Sequence, residues 1–362
     1  MAELTEQRDS TRLSRWFWVV FGLSLAAVLL SVVALVVAVT RSPEPSQTVP
    51  ANNIVTPCEG SAVAAETMGS VVTLFVRSSA GGAGNGSGEF LDAEGHILTN
   101  NHVISSAVGG GTITVLRPNG EELPATLVGR DPQTDLAVVK VTPQEPAKPI
   151  RFGGVPPIGA QVFAIGAPRG LTETFTAGVV SGFERSVRVP SDNNTTALLV
   201  AAIQTDASIN PGNSGGMLAD CAGDLVGVPT AGATASDSLG HPVAGSIGLG
   251  FAVPAATAER VAKSLISEGR IVHGDFGLSV VPILGPNSQI TPSGLYVNSI
   301  TAGGPAAQAG LQRSDIITAI ADQPISSADQ LQETSLTKPP GTAVAVEFRR
   351  GDQIQTTNIV LG

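Results

Sequence analysis

Thr205-Asp206-Ala207-Ser208-Ile209-Asn210-Pro211-Gly212-Asn213-Ser214-Gly215-Gly216 lies between two apolar runs, at 197–203 and 225–228. Runs this short, bounded by turn residues, read as buried strands. A glycine-rich loop between core strands holds backbone conformations closed to other residues and leaves bare N–H groups beside a hydroxyl. An acyl-transfer nucleophile needs that pairing: an exposed Oγ, and donors aimed at the oxyanion that develops. The plain alternative is a tight glycine turn with a solvated serine. A base, an orienting acid and a cleft elsewhere in the chain would decide between them.

The chain has four histidines, His96, His102, His241 and His273. A serine hydroxyl near neutral pH needs a neutral imidazole to take its proton. His102 follows Leu98-Thr99-Asn100-Asn101 and precedes Val103-Ile104, so it sits where a strand ends and a short helical piece begins. His96 falls in a hairpin turn after Asp92-Ala93-Glu94-Gly95 and reads as solvated. The imidazole in turn needs a carboxylate to orient it and to stabilise its charged form. Asp135 stands directly before the apolar strand Leu136-Ala137-Val138-Val139, whereas Asp131 precedes Pro132 and reads as a turn former.

Composition narrows the classes. The 362 residues include 42 Gly and 25 Pro, and the net charge is −10. Many short strands separated by turns point to a mainly β fold. A negative balance without Lys/Arg clusters speaks against nucleic acid as a partner. No CxxC, HExxH or histidine cluster supports a metal, a redox centre or another cofactor.

In chain order, residues 1–15 are polar with three arginines, and 16–39 carry no charge. As a helix the uncharged run spans about 36 Å, enough for a bilayer core of about 30 Å. Trp16 and Trp18 sit where interfacial aromatics belong, and the arginine bias places the N-terminus in the cytoplasm. The expectation is one transmembrane helix that anchors extracytoplasmic domains to the lipid bilayer. A cleaved signal peptide is the alternative, disfavoured by the length of the run. A Pro-rich tether at 40–62 follows. Strand-like segments fill 63–255, with a Pro-rich break near 143–150, and suggest two antiparallel barrels. Residues 81–88 read as a glycine loop. Apolar positions of helical period mark a linking helix within 256–273. A last unit of short strands runs over 274–362, with a turn into a short helix at Gly303-Gly304-Pro305-Ala306-Ala307.

The order His102, Asp135, Ser214, with the flanks Leu98-Thr99-Asn100-Asn101-His102-Val103, Asp135-Leu136-Ala137-Val138 and Asn210-Pro211-Gly212-Asn213-Ser214-Gly215-Gly216, resembles the HtrA/Deg family of trypsin-like serine proteases. Ile165-Gly166-Ala167-Pro168 and Gly250-Phe251-Ala252-Val253-Pro254 match as well. The resemblance implies two six-stranded, chymotrypsin-like barrels, with His102 and Asp135 on the first and Ser214 on the second. It also implies an oxyanion hole from the N–H groups of Gly212 and Ser214. The residue six before the nucleophile, at the pocket base in such enzymes, is Ser208. With Ile209 beside it, cleavage after Val, Ala, Ile or Leu is expected. Asp275-Phe276-Gly277-Leu278, Gly303 to Leu311 and Pro339-Pro340-Gly341 resemble a PDZ domain. Bare N–H groups of Phe276, Gly277 and Leu278 would there hold a peptide C-terminal carboxylate. Unfolded or regulatory proteins as substrates and a homotrimer are implied in the same way, as are switching loops at 185–196 and 231–245. The competing function is a PDZ scaffold or chaperone without proteolysis, which the intact triad disfavours. Departures from the family pattern include Glu89 where an apolar residue is usual and Ser314 in place of a glycine.

Cys58 and Cys221 admit two readings. Outside the cytoplasm they pair and close a loop of about 160 residues, which stabilises by about 5 kcal/mol on chain entropy alone. Otherwise they are two buried thiols.

Overall fold

A computed structural model describes residues 58–167, 174–192, 195–232, 245–284 and 290–362. The apolar run 16–39 and most of the tether lie outside the described residues. Among the described residues no helix is long and apolar enough to cross a membrane.

The first barrel closes in the order β1 (Val71–Arg77), β2 (Ala83–Phe90), β3 (His96–Asn100), β6 (Leu136–Lys140), β5 (Glu122–Asp131), β4 (Thr112–Leu116). The second closes as β10 (Met217–Ala219), β11 (Leu225–Gly232), β12 (Gly250–Pro254), β9 (Thr196–Thr205), β8 (Thr174–Pro190), β7 (Gln161–Gly166). The apolar run of β6 is explained by burial on both faces. Ala137 and Val139 fill the first barrel with Leu74, Phe90 and Ile97. Leu136 and Val138 point the other way and pack with Ile165 and Met217 of the second barrel. Each such side chain, removed from water, contributes about 1.5–3 kcal/mol. This shared core fixes the cleft between the barrels.

Three sequence expectations change. Residues 83–88 form most of a strand, not a loop. A Cβ on Gly86 would come within 2.6 Å of both Val103 methyls, and one on Gly88 within 2.6 Å of Ile97 Cγ2. These glycines permit close packing in a sheet instead of marking a turn. The polar stretch 185–196 is largely a β8–β9 hairpin: Val187 pairs with Leu199 and Val189 with Ala197, over register shifts that bulge the ladder. The stretch reads as polar because its outward residues are charged, while the inward Val189 is 4% exposed. His96 is not freely solvated; its Nδ1 lies 2.6 Å from Asp92 Oδ2. Residues 233–244, within the second expected loop, lie outside the described residues.

One compact unit runs from Cys58 to Gly362 and opens with helix α1 (Gly60–Thr67), within the stretch expected as tether. Cys58 and Cys221 are bonded, with their Cα atoms 5.3 Å apart. The helix expected as a linker, α3 (Ala255–Glu268), buries Ala258, Val261 and Leu265 in the core shared by the barrels. Pro254 caps its start, and Gly269 ends it at φ 71°, a conformation that favours glycine.

The C-terminal sheet has the order β13 (Leu278–Leu284), β14 (Ile290–Ile300), β15 (Ile316–Ile320), β17 (Ala343–Arg350), β18 (Gln353–Val360), with β16 (Gln323–Pro324) beside β15. Helices α4 (Pro305–Gln308) and α5 (Ala328–Thr337) complete the unit. Among the described strands β13 is paired with β14 and stands at the end of the sheet order, the kind of position at which a peptide can add as a strand.

Candidate active site

Asp135 is placed by strain and by burial. It has φ 59° and is fully buried directly before β6. A left-handed conformation is costly for most residues and best tolerated by Asn and Asp. Its carbonyl accepts from Asn101 N at 3.1 Å and from Asn100 Nδ2 at 2.8 Å. Both carboxylate oxygens are bound by one residue: Oδ1 accepts from His102 N at 2.8 Å, and Oδ2 lies 2.6 Å from His102 Nδ1. An imidazole held through Nδ1–H offers Nε2 as a base. His102 sits on the single turn α2 (Asn101–Ile104), its side chain 35% exposed against 0% for Asp135.

Ser214 follows a loop pressed onto the first barrel. Ser87 N donates to Ser214 O at 2.9 Å, and Ser87 Oγ donates to Gly212 O at 2.7 Å. A Cβ on Gly215, which has φ 80°, would come within 2.3 Å of Thr99 Oγ1. Only glycine fits there, which explains the glycines after the serine. With Gly212 O turned towards Ser87, the N–H groups of Gly212 and Ser214 have no hydrogen-bond partner among the described residues. Both residues line an open groove of about 500 Å³ together with His102. Ser214 Oγ donates to Thr230 O at 3.3 Å. Among the described residues no hydrogen bond joins it to His102. The base–acid half of the constellation is formed, and the hydroxyl is turned to the second barrel.

Beside Ser214 lies a smaller cavity of about 220 Å³, lined by Ile209, Asn210, Pro211, Thr230, Gly232 and Gly245. Of the two residues expected at the pocket, Ile209 lines this cavity and Ser208 does not: Ser208 is exposed, and its carbonyl accepts from Thr176 Oγ1 and Asn213 Nδ2. The chain alternates through this turn, so Ile209 faces in against Gly250 and Ser208 faces out. Sequence reasoning also passed over Ser87, Asn100 and Thr230. The small residues flanking Ser87 and the Asn-Asn pair before His102 are the signals that mark two of them.

In the C-terminal unit a groove of about 640 Å³ runs between Phe276, Leu278 and Val280 on one side and Ala328, Leu331 and Gln332 of α5 on the other. Phe276 N–H has no partner among the described residues. Gly277 N–H is not bare: it donates to Asp275 Oδ1 at 2.9 Å. An Asp two residues before a glycine in the left-handed region (φ 69°) closes such a turn by itself. Among the described residues no cluster of His, Cys, Asp and Glu suits a metal ion.

Comparison with known proteins agrees with this arrangement. A family model for a trypsin-like peptidase domain matches residues 86–228, and one for a PDZ domain matches 274–361. The chain is 41% identical over 272 residues to the serine protease PepD of Mycobacterium tuberculosis, an alignment covering 73% of this chain and 57% of PepD. The chain thus spans little more than half the length of that relative. It is 36% identical to the serine endoprotease DegS of Escherichia coli over 76% of each protein. A serine endoprotease structure from Yersinia pestis superposes with TM-score 0.61 at 34% identity, covering 83% of this chain and 97% of that one. The HtrA-type protease AlgW with a decapeptide gives 0.64 at 30% identity, covering 84% and 98%. The chain belongs to the HtrA/Deg family of trypsin-like serine proteases that carry a C-terminal PDZ domain.

Proposed function

We propose that this protein is a membrane-anchored, extracytoplasmic serine endopeptidase that cleaves unfolded or regulatory proteins after small aliphatic residues. One observation carries the reading. His102, held from behind by the buried Asp135, lines one open groove with Ser214, beside two N–H groups without a partner among the described residues.

The roles follow from the geometry. Rotation of Ser214 about χ1 moves Oγ from Thr230 O towards His102 Nε2. The imidazole takes the hydroxyl proton as Oγ attacks the scissile carbonyl, while Asp135 stabilises the imidazolium that forms. The N–H groups of Gly212 and Ser214 receive the oxyanion; one such donor is worth about 3–4 kcal/mol of barrel-enclosed transition-state stabilisation. The imidazolium then returns the proton to the leaving amine, and water releases the acyl group by the same steps. The cavity at Ile209 sets the preference at the cleaved residue.

The PDZ groove supports peptide capture by strand addition to β13, with control over the protease as its use. Arg188 on β8 donates to Asp329 and Gln332 of α5, so the groove wall touches the β8–β9 hairpin directly. Anchoring through 16–39 rests on the sequence alone, as does a homotrimer. Two relatives support the compartment by their names, being called probable periplasmic endoproteases.

The decisive test compares wild type with Ser214→Ala on casein, with and without hydrophobic C-terminal peptides. Cleavage by wild type alone is expected. Equal cleavage by both forms would remove Ser214 as the nucleophile, and cleavage by neither would favour the scaffold reading.

A further inference from the structure

Helix α2 carries His102 but has little means of holding itself. It is four residues long, and Asn100 at its N-cap makes no side-chain capping bond. An isolated turn of this length has no stability of its own. Its orientation must come from outside. Part of it comes from Asp135. The rest comes from the second barrel.

Asn101, the residue before His102, is fully buried. Its Nδ2 donates to Asp192 Oδ1 at 2.9 Å, and its Oδ1 accepts from Arg130 at 3.2 Å. Arg130 closes the triangle by pairing with Asp192 Oδ2. Both polar ends of the Asn101 amide are fixed, so its plane is locked. Arg130 and Asp192 are 27% and 13% exposed, which makes their charge-assisted bonds stronger than a surface pair. Asp192 stands near the turn of the β8–β9 hairpin. The same hairpin also grips the loop that ends in Asp135: Ser191 Oγ donates to Pro132 O, and Leu198 N to Gln133 O, each at 3.0 Å.

We propose that Asp192 is a positioning residue for the His102–Asp135 pair, acting through Asn101 and Arg130. The inference rests on the protease reading above. Asp192 touches neither substrate nor nucleophile. It sets the angle of α2, and hence the place of Nε2 relative to Ser214. Misplacement of a base by about 1 Å lowers turnover by about 100-fold without changing the binding groove.

The test uses the full chain and a chromogenic peptide ending in Val. Wild type, Asp192→Ala, Asp192→Asn and Ser214→Ala are compared for kcat and KM. The low-field proton resonance of His102 Nδ1–H bonded to Asp135 is recorded for each. Asp192→Ala is expected to lose about 10- to 100-fold in kcat, with KM within about twofold, and to shift or broaden that resonance. Asp192→Asn keeps an acceptor for Asn101 and loses only the negative charge that faces Arg130, so its loss is smaller. It carries the test if the alanine variant does not fold. A kcat equal to wild type, a change in KM alone, or a fall in kcat with the resonance unmoved overturns the inference. If Ser214→Ala itself keeps wild-type activity, the protease reading fails first, so the two failures are distinguishable.

Discussion

Asn100 and Thr230 join the two barrels at the triad: one Nδ2 donates to Thr230 Oγ1 at 2.9 Å and to Asp135 O at 2.8 Å. Thr230 passes the link on, its Oγ1 donating to Val228 O and its carbonyl accepting from Ser214. Asp135 and Ser214, the proposed acid and nucleophile, therefore share one buried strut. Asn100→Ala is expected to cost about 1–3 kcal/mol, because it strips a donor from buried acceptors on both sides. Urea unfolding of the two proteins measures it. A change below about 0.5 kcal/mol, the usual size for a surface substitution, would show that the strut carries no load.

Glu89 on β2 is fully buried between the barrels, and neither carboxyl oxygen has a partner among the described residues. Burial pushes its carboxyl well above the usual carboxylate range. The folded chain therefore keeps this proton where the unfolded chain has lost it. Stability from this group is greatest below the unfolded value and falls as pH rises, until the folded value is passed. Glu89→Gln should flatten that decline between pH 5 and pH 8, as read by urea midpoints at both. Parallel declines for the two proteins would rule the group out as its source.

Removing the Cys58–Cys221 bond should lower stability by about 3–5 kcal/mol. The paired Cys58→Ser, Cys221→Ser variant should melt as wild type does in reductant, and reductant should leave the variant unchanged. Equal melting of variant and wild type without reductant would contradict the expectation.

Ile209 is 4% exposed at the wall of the cavity beside Ser214. Ile209→Ala should raise kcat/KM for a Phe peptide relative to a Val peptide by about tenfold, since pocket methyls discriminate by about 1–3 kcal/mol. An unchanged ratio would place the specificity wall elsewhere.

The sequence made the barrels legible where period and burial agree. The run 136–139 is apolar throughout because both its faces are covered, and the helix at 255–268 shows one apolar face. The proposed triad of His102, Asp135 and Ser214 could be picked out because such chemistry needs fixed residue types, and the His102–Asp135 contact is the part of it that the structure forms. Packing by glycine was not: Gly86 and Gly88 look like parts of a loop until Val103 and Ile97 are placed against them. Nor was the hairpin that carries Asp192, whose outward charges conceal an inward strand period. Ser208 was misplaced by one residue of alternation, and Gly277 by a side chain that reaches its own backbone. Ser314, in the place of a usual glycine, does hold φ 76°, as its position suggested.

The Cys58–Cys221 bond has one more result, which concerns damage and not folding energy. It encloses 163 residues of separation that include His102, Asp135 and Ser214. If the proposed activity holds, the chain is exposed to cleavage by its own kind. A nick in any loop between the two cysteines leaves two pieces that remain one covalent molecule. His102, Asp135 and Ser214 then stay tied in one molecule, and such a nicked chain would separate only on a reducing gel.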